Sequence, residues 1–418
     1  MKKILFSFLI VTYTSVFIAK AQSDFSSPYS LFGLGVENSN YFGGFSALGN
    51  TGIASKNLFS INKSNPASIT SIASNSFLYE LGLSSTFSNK ETVNSSQKNV
   101  DLNVSHLAFS FQVKDYWKMN FGLVPYSKVS YEIDLIKPVE GSSQYLSTSI
   151  TGSGGINEVF WGNGIKLGKN LSVGFELSAL FGNIDETELV YIGYSTATIT
   201  NSKNYFGFGL NTGLQYTINN IFGTQTTFGA TFSIPTYLSG TEDQTATKSF
   251  SGSSEVEILN ETDIDLDDYD LPLKVGFGIS SIINKKLTVN VDYKKNYWSD
   301  TYTSNNTYKY QDQEIYGAGV EYQPTQNLNT FWNNLKYRAG VNYNTGYLIL
   351  SKQKIDNYAV SLGVGIPLSK SIYTSMININ YSYGKEGTIN NKLIQDNYHK
   401  LSLNLSLLGN WFQKRKIF

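Results

Sequence analysis

Along most of this chain, apolar and polar residues alternate one by one. The pattern is clearest near the C-terminus, where Leu401, Leu403, Leu405 and Leu407 interleave with Lys400, Ser402, Asn404 and Ser406. One face is aliphatic and the other polar, which is the signature of a strand with successive side chains on opposite faces. Leu107, Phe109, Phe111 and Val113 oppose Ser110, Gln112 and Lys114 in the same way. So do Phe206, Phe208, Leu210 and Leu214 against Gly207, Gly209, Asn211, Gly213 and Gln215, and Leu287, Val289, Val291 and Tyr293 against Thr288, Asn290, Asp292 and Lys294. Fourteen strands are expected, at 76–87, 101–114, 117–132, 145–167, 170–183, 203–217, 225–238, 269–282, 286–299, 312–324, 334–349, 355–368, 371–385 and 394–412.

A soluble sandwich also alternates, but the connections argue for a membrane barrel. Those at 115–116, 168–169, 283–285 and 369–370 are tight, whereas 88–100, 184–202, 239–268 and 300–311 are long. An even strand number with short turns at one end and long loops at the other is the pattern of bacterial outer-membrane barrels. The expected fold is all-β: a fourteen-stranded antiparallel transmembrane barrel in the outer membrane of a Gram-negative bacterium, both termini in the periplasm. Trp117, Trp332 and Trp411 fall at expected periplasmic strand ends and Trp298 near an external end, where aromatic girdles sit.

The first residues read as an export signal. Lys2 and Lys3 precede the apolar run Ile4–Ile18, and Ala19-Lys20-Ala21 offers small residues where a signal peptidase reads, so cleavage is expected before Gln22. The expected organisation is a signal peptide at 1–21, an N-terminal plug at 22–75, the barrel at 76–412 and a short basic periplasmic tail at 413–418. Removing the signal leaves 29 basic against 32 acidic residues, which gives no polycationic signature for nucleic acid. With no cysteine there is neither a disulfide framework nor a thiolate metal site.

Residues 26–75 hold Gly33, Gly35, Gly43, Gly44, Gly49 and Gly52 but no sustained alternation. Irregular backbone cannot face lipid, because its unpaired polar groups are too costly there. The segment therefore belongs in the periplasm or inside a lumen wide enough to need filling. Within it, Asn65 can cap a helix start, Pro66 suits a first helical position, and Ile69 and Ile72 recur at helical spacing.

The glycine-rich segment, Asn65-Pro66-Ala67 and fourteen following strands resemble the FadL family of outer-membrane transporters. Ser27-Pro28-Tyr29-Ser30 with Phe32-Gly33-Leu34-Gly35, Pro125-Tyr126-Ser127, Gly152-Ser153-Gly154-Gly155 and the Trp411-Phe412 ending resemble its Bacteroidetes branch. The resemblance implies uptake of a lipid or hydrophobic small molecule such as a long-chain fatty acid or aromatic hydrocarbon. An N-terminal hatch containing Asn65, Pro66 and Ala67 would block the lumen, and cargo would leave sideways at a kink in the third strand. Some barrels of this kind instead serve as partners in protein secretion, so an adaptor role with an envelope protein partner is the alternative. Biogenesis through the barrel-assembly machinery is expected in either case.

Pro125 lies mid-way along the expected third strand. Proline cannot donate a ladder hydrogen bond, so it implies a break or bulge; Pro235 on the seventh strand competes for that role. Glu321 and Arg338, on adjacent strands and both facing inward, are expected to pair and tie down the hatch. Asp292, Lys294, Lys274 and Glu176 also face inward by parity, with solvated lumen charge as the plain reading. Between 255 and 270, Glu255, Glu257, Glu261, Asp263, Asp265, Asp267, Asp268 and Asp270 form an acidic run. It lacks the central glycine and terminal glutamate of a calcium loop. Neither His106 nor His399 sits in a metal or catalytic motif, and no nucleophile elbow or phosphate loop is present. The sequence argues against an enzyme and calls for no cofactor.

Overall fold

A computed structural model of the chain describes residues 27–38, 41–138, 145–221, 223–250, 254–301, 308–324, 331–368 and 375–410. The expected signal segment, Trp411 and the expected basic tail lie outside the described residues. Fourteen antiparallel strands form the wall. They are β1 Ser76–Glu91, β2 Ser96–Lys114, β3 Trp117–Pro125 continuing as Ser127–Pro138, β4 Tyr145–Leu167, β5 Leu171–Ile192, β6 Ser195–Ile221, β7 Thr224–Ser233 continuing as Thr236–Phe250, and β8 Val256–Leu271 continuing as Lys274–Ile283. They continue with β9 Leu287–Asn296, β10 Gln313–Tyr322, β11 Lys336–Asn344, β12 Asn357–Pro367, β13 Met376–Gly387 and β14 Gln395–Asn410. β14 pairs back onto β1 from Ser76–Asn410 to Glu91–Gln395, so the sheet closes.

The dyad sorts as a membrane barrel requires. Phe121, Leu123, Trp161, Phe208, Phe277, Val360 and Leu403 are exposed on the outer face, while Asn120, Asn163, Asn290, Ser361, Asn378 and Asn404 are buried within. Among the described residues no helix is long and apolar enough to cross a membrane, which says nothing of crossing by strands.

The long connections are where the structure departs from expectation. Residues 184–202 and much of 239–268 are paired strand: β5 and β6 remain in register out to Ile192–Ser195, and β7 and β8 out to Lys248–Val256. Beyond the bilayer both faces of a strand meet water, so the apolar alternation fades while the backbone ladder continues. The acidic run becomes one strand of this projecting sheet, and no group of three or more metal-ligating side chains occurs among the described residues. Trp298 is the other correction. It is 2% exposed and stacks on Tyr347 at 4.5 Å between ring centroids, so it is a core residue of the cap at the long-loop end rather than part of a girdle. Around it, Tyr308–Tyr310 pairs with Leu348–Leu350, which pairs with Gln353–Lys354, in a small three-stranded sheet.

The N-terminal segment lies against the inner face of this wall. The Tyr29 hydroxyl donates to the Ile394 carbonyl, in the connection between β13 and β14. Ser27–Glu37 is thus at the opposite end of the barrel from Ser76 and Asn410, and both chain termini lie outside the described residues. In place of an α-helix, Pro66–Ser71 forms a short 3-10 turn. Ile69 and Ile72 bury with Phe42, Ile61, Leu78 and Phe160.

Candidate functional site: the N-terminal segment and the break in the wall

The N-terminal segment meets the wall through side chains from many strands. Asn65 is fully buried and has two jobs. Its Oδ1 accepts from Ala67 N at 2.9 Å, which caps the Pro66–Ser71 turn. Its Nδ2 donates to Ile53 O at 2.7 Å and to Leu214 O on β6 at 3.1 Å. Pro66 and Ala67 press on β5, where any side chain at Gly174 would meet the Pro66 backbone.

The four inward charges singled out by parity all engage this segment. Lys63 Nζ lies 2.8 Å from Glu176 on β5 and 2.9 Å from Glu158 on β4, all three nearly buried. Burial works against the Lys63 ammonium, but the two carboxylates outweigh it and hold its pKa above the ordinary lysine range. Asp292 Oδ2 accepts from Gly52 N at 2.7 Å and Ile53 N at 2.9 Å. Lys274 reaches Glu37 at 2.9 Å, and Lys294 donates to the Tyr41 hydroxyl. The plain reading of solvated lumen charge is therefore replaced by direct contact. Glu321 and Arg338 face each other in register, with Nε to Oε2 at 2.7 Å, and Lys336 adds a second contact to Glu321 at 2.9 Å. The Arg338 guanidinium packs against Gly44 of the segment and donates to Asn378 Oδ1 at 2.8 Å.

Sequence reasoning missed what the wall glycines do. Gly213 faces Asn65, Gly229 and Gly278 face Ile53, and Gly319 and Gly340 face Leu48–Gly49. At each of these positions the segment's own atoms fill the space a side chain would take. The glycines form a track on which irregular backbone lies directly against the sheet.

Two cavities flank the segment. Gly43, Ser46 and Lys63 line a cavity of about 840 Å³ toward the loop end, together with Asn211, Asn296, Asn342 and Asn404. Gly44, Phe45 and Lys56 line a second cavity of about 280 Å³ toward the turn end, with Lys285, Lys336 and Arg338. Both linings mix polar with apolar groups: Leu180, Leu210 and Ile234 also line the first, and Phe45, Leu48 and Ile282 the second.

The wall breaks beside Pro125. β3 stops at Pro125 and resumes at Ser127. Its first half pairs with β2 from Trp117 to Leu123, whereas its second half has no pairing with β2 among the described residues. On that freed edge Val36 pairs with Lys128 and Glu37 with Ser127. The break at Pro235 differs, because β6 and β8 pair with both halves of β7. Four local sequence patterns converge at the β3 break. Ser30 Oγ accepts from Ser130 N at 3.1 Å, and Ser127 Oγ donates to Leu34 O at 2.6 Å. Tyr126 OH donates to Glu37 at 2.6 Å. Gly35, at φ +89°, touches the Lys128 carbonyl, and Gly155, at φ +141°, touches the Ser127 carbonyl from β4. Gly155→Val should therefore strain the break and destabilise the barrel by about 1–3 kcal/mol, read as a lower temperature for loss of the fast-migrating folded band on a gel; an unchanged temperature contradicts this packing.

His106 lies inside the wall, 2% exposed, with its ring stacked on Phe42 at 3.9 Å, whereas His399 faces outward beside Tyr381. They share no site.

A family model, BamG, matches residues 1–418, the whole chain. The chain belongs to the BamG family. A comparison with curated proteins gives no match. Among solved structures, the Pseudomonas putida toluene transporter TodX is similar at TM-score 0.62 and 17% identity, covering 90% of this chain and 100% of its own. The CymD monoaromatic hydrocarbon channel gives 0.60 and 17%, over 90% and 100%. A Pseudomonas aeruginosa FadL homologue gives 0.60 and 11%, over 89% and 98%. At such identities the likeness is one of fold, and this BamG-family chain shares the fourteen-stranded barrel of those channels and transporters.

Proposed function

We propose that this BamG-family barrel is a sealed outer-membrane scaffold that works in an assembly complex for other envelope proteins. The observation that carries the reading is the seat of the N-terminal segment. It is fixed to the wall by Asn65, Lys63, Asp292, Lys274, Lys294 and Arg338, between two cavities of mixed polar and apolar lining. A conduit for hydrophobic cargo needs a seal that can move, and ion pairs buried on both sides of a contact are expensive to separate. The family name supports a role in barrel assembly. In this reading Asn65, Pro66 and Ala67 hold a permanent plug and Glu321–Arg338 anchors it. The ends of β1 and β14 that carry Ser76 and Asn410 face the periplasm.

Depleting the protein in its own host should lower the folded fraction of unrelated outer-membrane barrels while growth on fatty acids or aromatic hydrocarbons is unchanged. Normal barrels with lost uptake would overturn the scaffold.

A second reading, uptake of small hydrophobic molecules, is favoured by the β3 break. Pro125 would then mark a lateral exit, and Val36–Glu37 would have to leave β3 to open it.

A further inference from the structure

The cavity at the turn end combines cations with apolar surface. Its lining holds Lys56, Lys285, Lys336 and Arg338 against one carboxylate, Glu321. That carboxylate is shared between Lys336 at 2.9 Å and Arg338 at 2.7 Å. Lys56, on the N-terminal segment, donates to the Thr217 hydroxyl. Lys285 lies in the turn between β8 and β9. Neither Lys56 nor Lys285 is in an ion pair among the described residues. Lys118, Lys166, Lys169 and Lys286 stand at the same end of the barrel, where Asp115 and Glu321 are the acidic residues among those described. The acidic run 255–270 is at the opposite end, in the projecting sheet. The turn end is therefore the electropositive one.

Between these cations the N-terminal segment presents Leu58, which is 48% exposed. Its loop is held in place. Asn57 Oδ1 accepts from Phe59 N at 2.9 Å, and the Leu58 carbonyl accepts from Ala73 N at 3.1 Å. Phe59, Ile282 and Met376 line the same pocket. On the facing side the turn sets Lys285 at φ +55° and is closed by Lys286 N to Ile283 O at 3.1 Å. We infer that this pocket docks an acidic segment of a periplasmic protein: an apolar side chain of that segment packs on Leu58, and carboxylates on either side of it meet Lys56 and Lys285. The two ammonium groups stand on different elements, so they suit carboxylates spaced along an extended chain. A fatty acid offers only one. Apolar contact at the centre supplies affinity, and the charges at the rim supply steering and partner choice. The inference rests on the scaffold reading, since it names where a partner binds.

The test uses the full-length barrel in a zwitterionic detergent and a fluorescein-labelled peptide that alternates aspartate with leucine, followed by anisotropy. Lys285→Glu is the leading variant, because Lys285 has no ion pair among the described residues for the fold to lose. Leu58→Ser removes the apolar contact, and the fast-migrating band on a gel reports that both variants are folded. The expected result is binding that weakens with salt and falls roughly tenfold or more in each variant. Peptides with asparagine for aspartate, or serine for leucine, should not bind. Absent binding, or binding that both folded variants retain, overturns the proposal. Displacement of the peptide by equimolar oleate overturns it in favour of a lipid pocket. The second measurement is made in the host's own membranes, with a photoreactive benzoylphenylalanine at Leu58. Adducts should map to an acidic segment of a protein that co-purifies with the barrel and is lost from the Lys285→Glu barrel. A partner that co-purifies equally with Lys285→Glu, or adducts elsewhere than an acidic segment, overturn the pocket and leave the scaffold standing. No co-purifying partner even for the native barrel overturns the scaffold reading and the pocket with it.

Discussion

Lys63→Met should destabilise the folded barrel by about 3–5 kcal/mol, the usual cost of removing one partner from a buried ionic cluster. The methionine fills the space of the lysine stem but leaves Glu158 on β4 and Glu176 on β5 buried with no cation between them. Adding Glu158→Gln and Glu176→Gln to the same variant should restore most of the loss, because the triple change removes the stranded charge along with its partner. A single-site packing defect would show no such rescue. Lys63 has its pKa raised in the fold, so its contribution is complete below the unfolded lysine value of about 10.4. It is lost only as the pH climbs through the higher folded value. The cluster should therefore be insensitive to pH around neutrality on the lysine side. Thermal or denaturant unfolding of the three variants in detergent checks both statements.

Gly340→Val should eject the plug and leave the wall standing. The added side chain would occupy the place of the Gly49 amide and the Leu48 carbonyl carbon, and backbone cannot swing aside as a side chain does. Gly49 is itself held at φ +65°, a conformation that leaves little room for adjustment. The wall meanwhile keeps its ladder, with Gly340 paired to Gly319 and Ser361, and valine is a good strand residue. The expected outcome is fast amide exchange over residues 45–55, together with ion conductance in planar bilayers from a barrel that is silent in its native form. A silent variant with unchanged exchange would mean that the segment does not depend on the glycine track.

The barrel was legible in the sequence because lipid on one side and a polar lumen on the other impose a two-residue period on every spanning strand. The length of β5 through β8 was not, since outside the bilayer nothing selects that period, and paired strand reads as polar loop. Parity placed Glu176, Lys274, Asp292 and Lys294 inside, but their partners lie up to 253 residues away in an aperiodic segment, so contact with that segment was invisible. The wall glycines looked like ordinary small lumen residues. A signal was present all the same: Gly213, Gly229, Gly278, Gly319 and Gly340 recur strand after strand at inward positions, where an open pore would not need to exclude a Cβ. The strand is interrupted beside Pro125, yet no local pattern announced that Val36–Glu37 would pair there. Trp298 was misplaced because an indole at a strand end reads the same whether it faces lipid or turns inward onto Tyr347.

The central claim is that this is a sealed scaffold and not a conduit. The most direct measurement is mass spectrometry of the barrel purified from its own membranes in mild detergent, scoring proteins and small molecules together. The account predicts a stoichiometric envelope-protein partner and no stoichiometric hydrocarbon or fatty acid. A barrel that travels alone with one bound hydrophobic molecule, lost on Asn65→Ala, would contradict it.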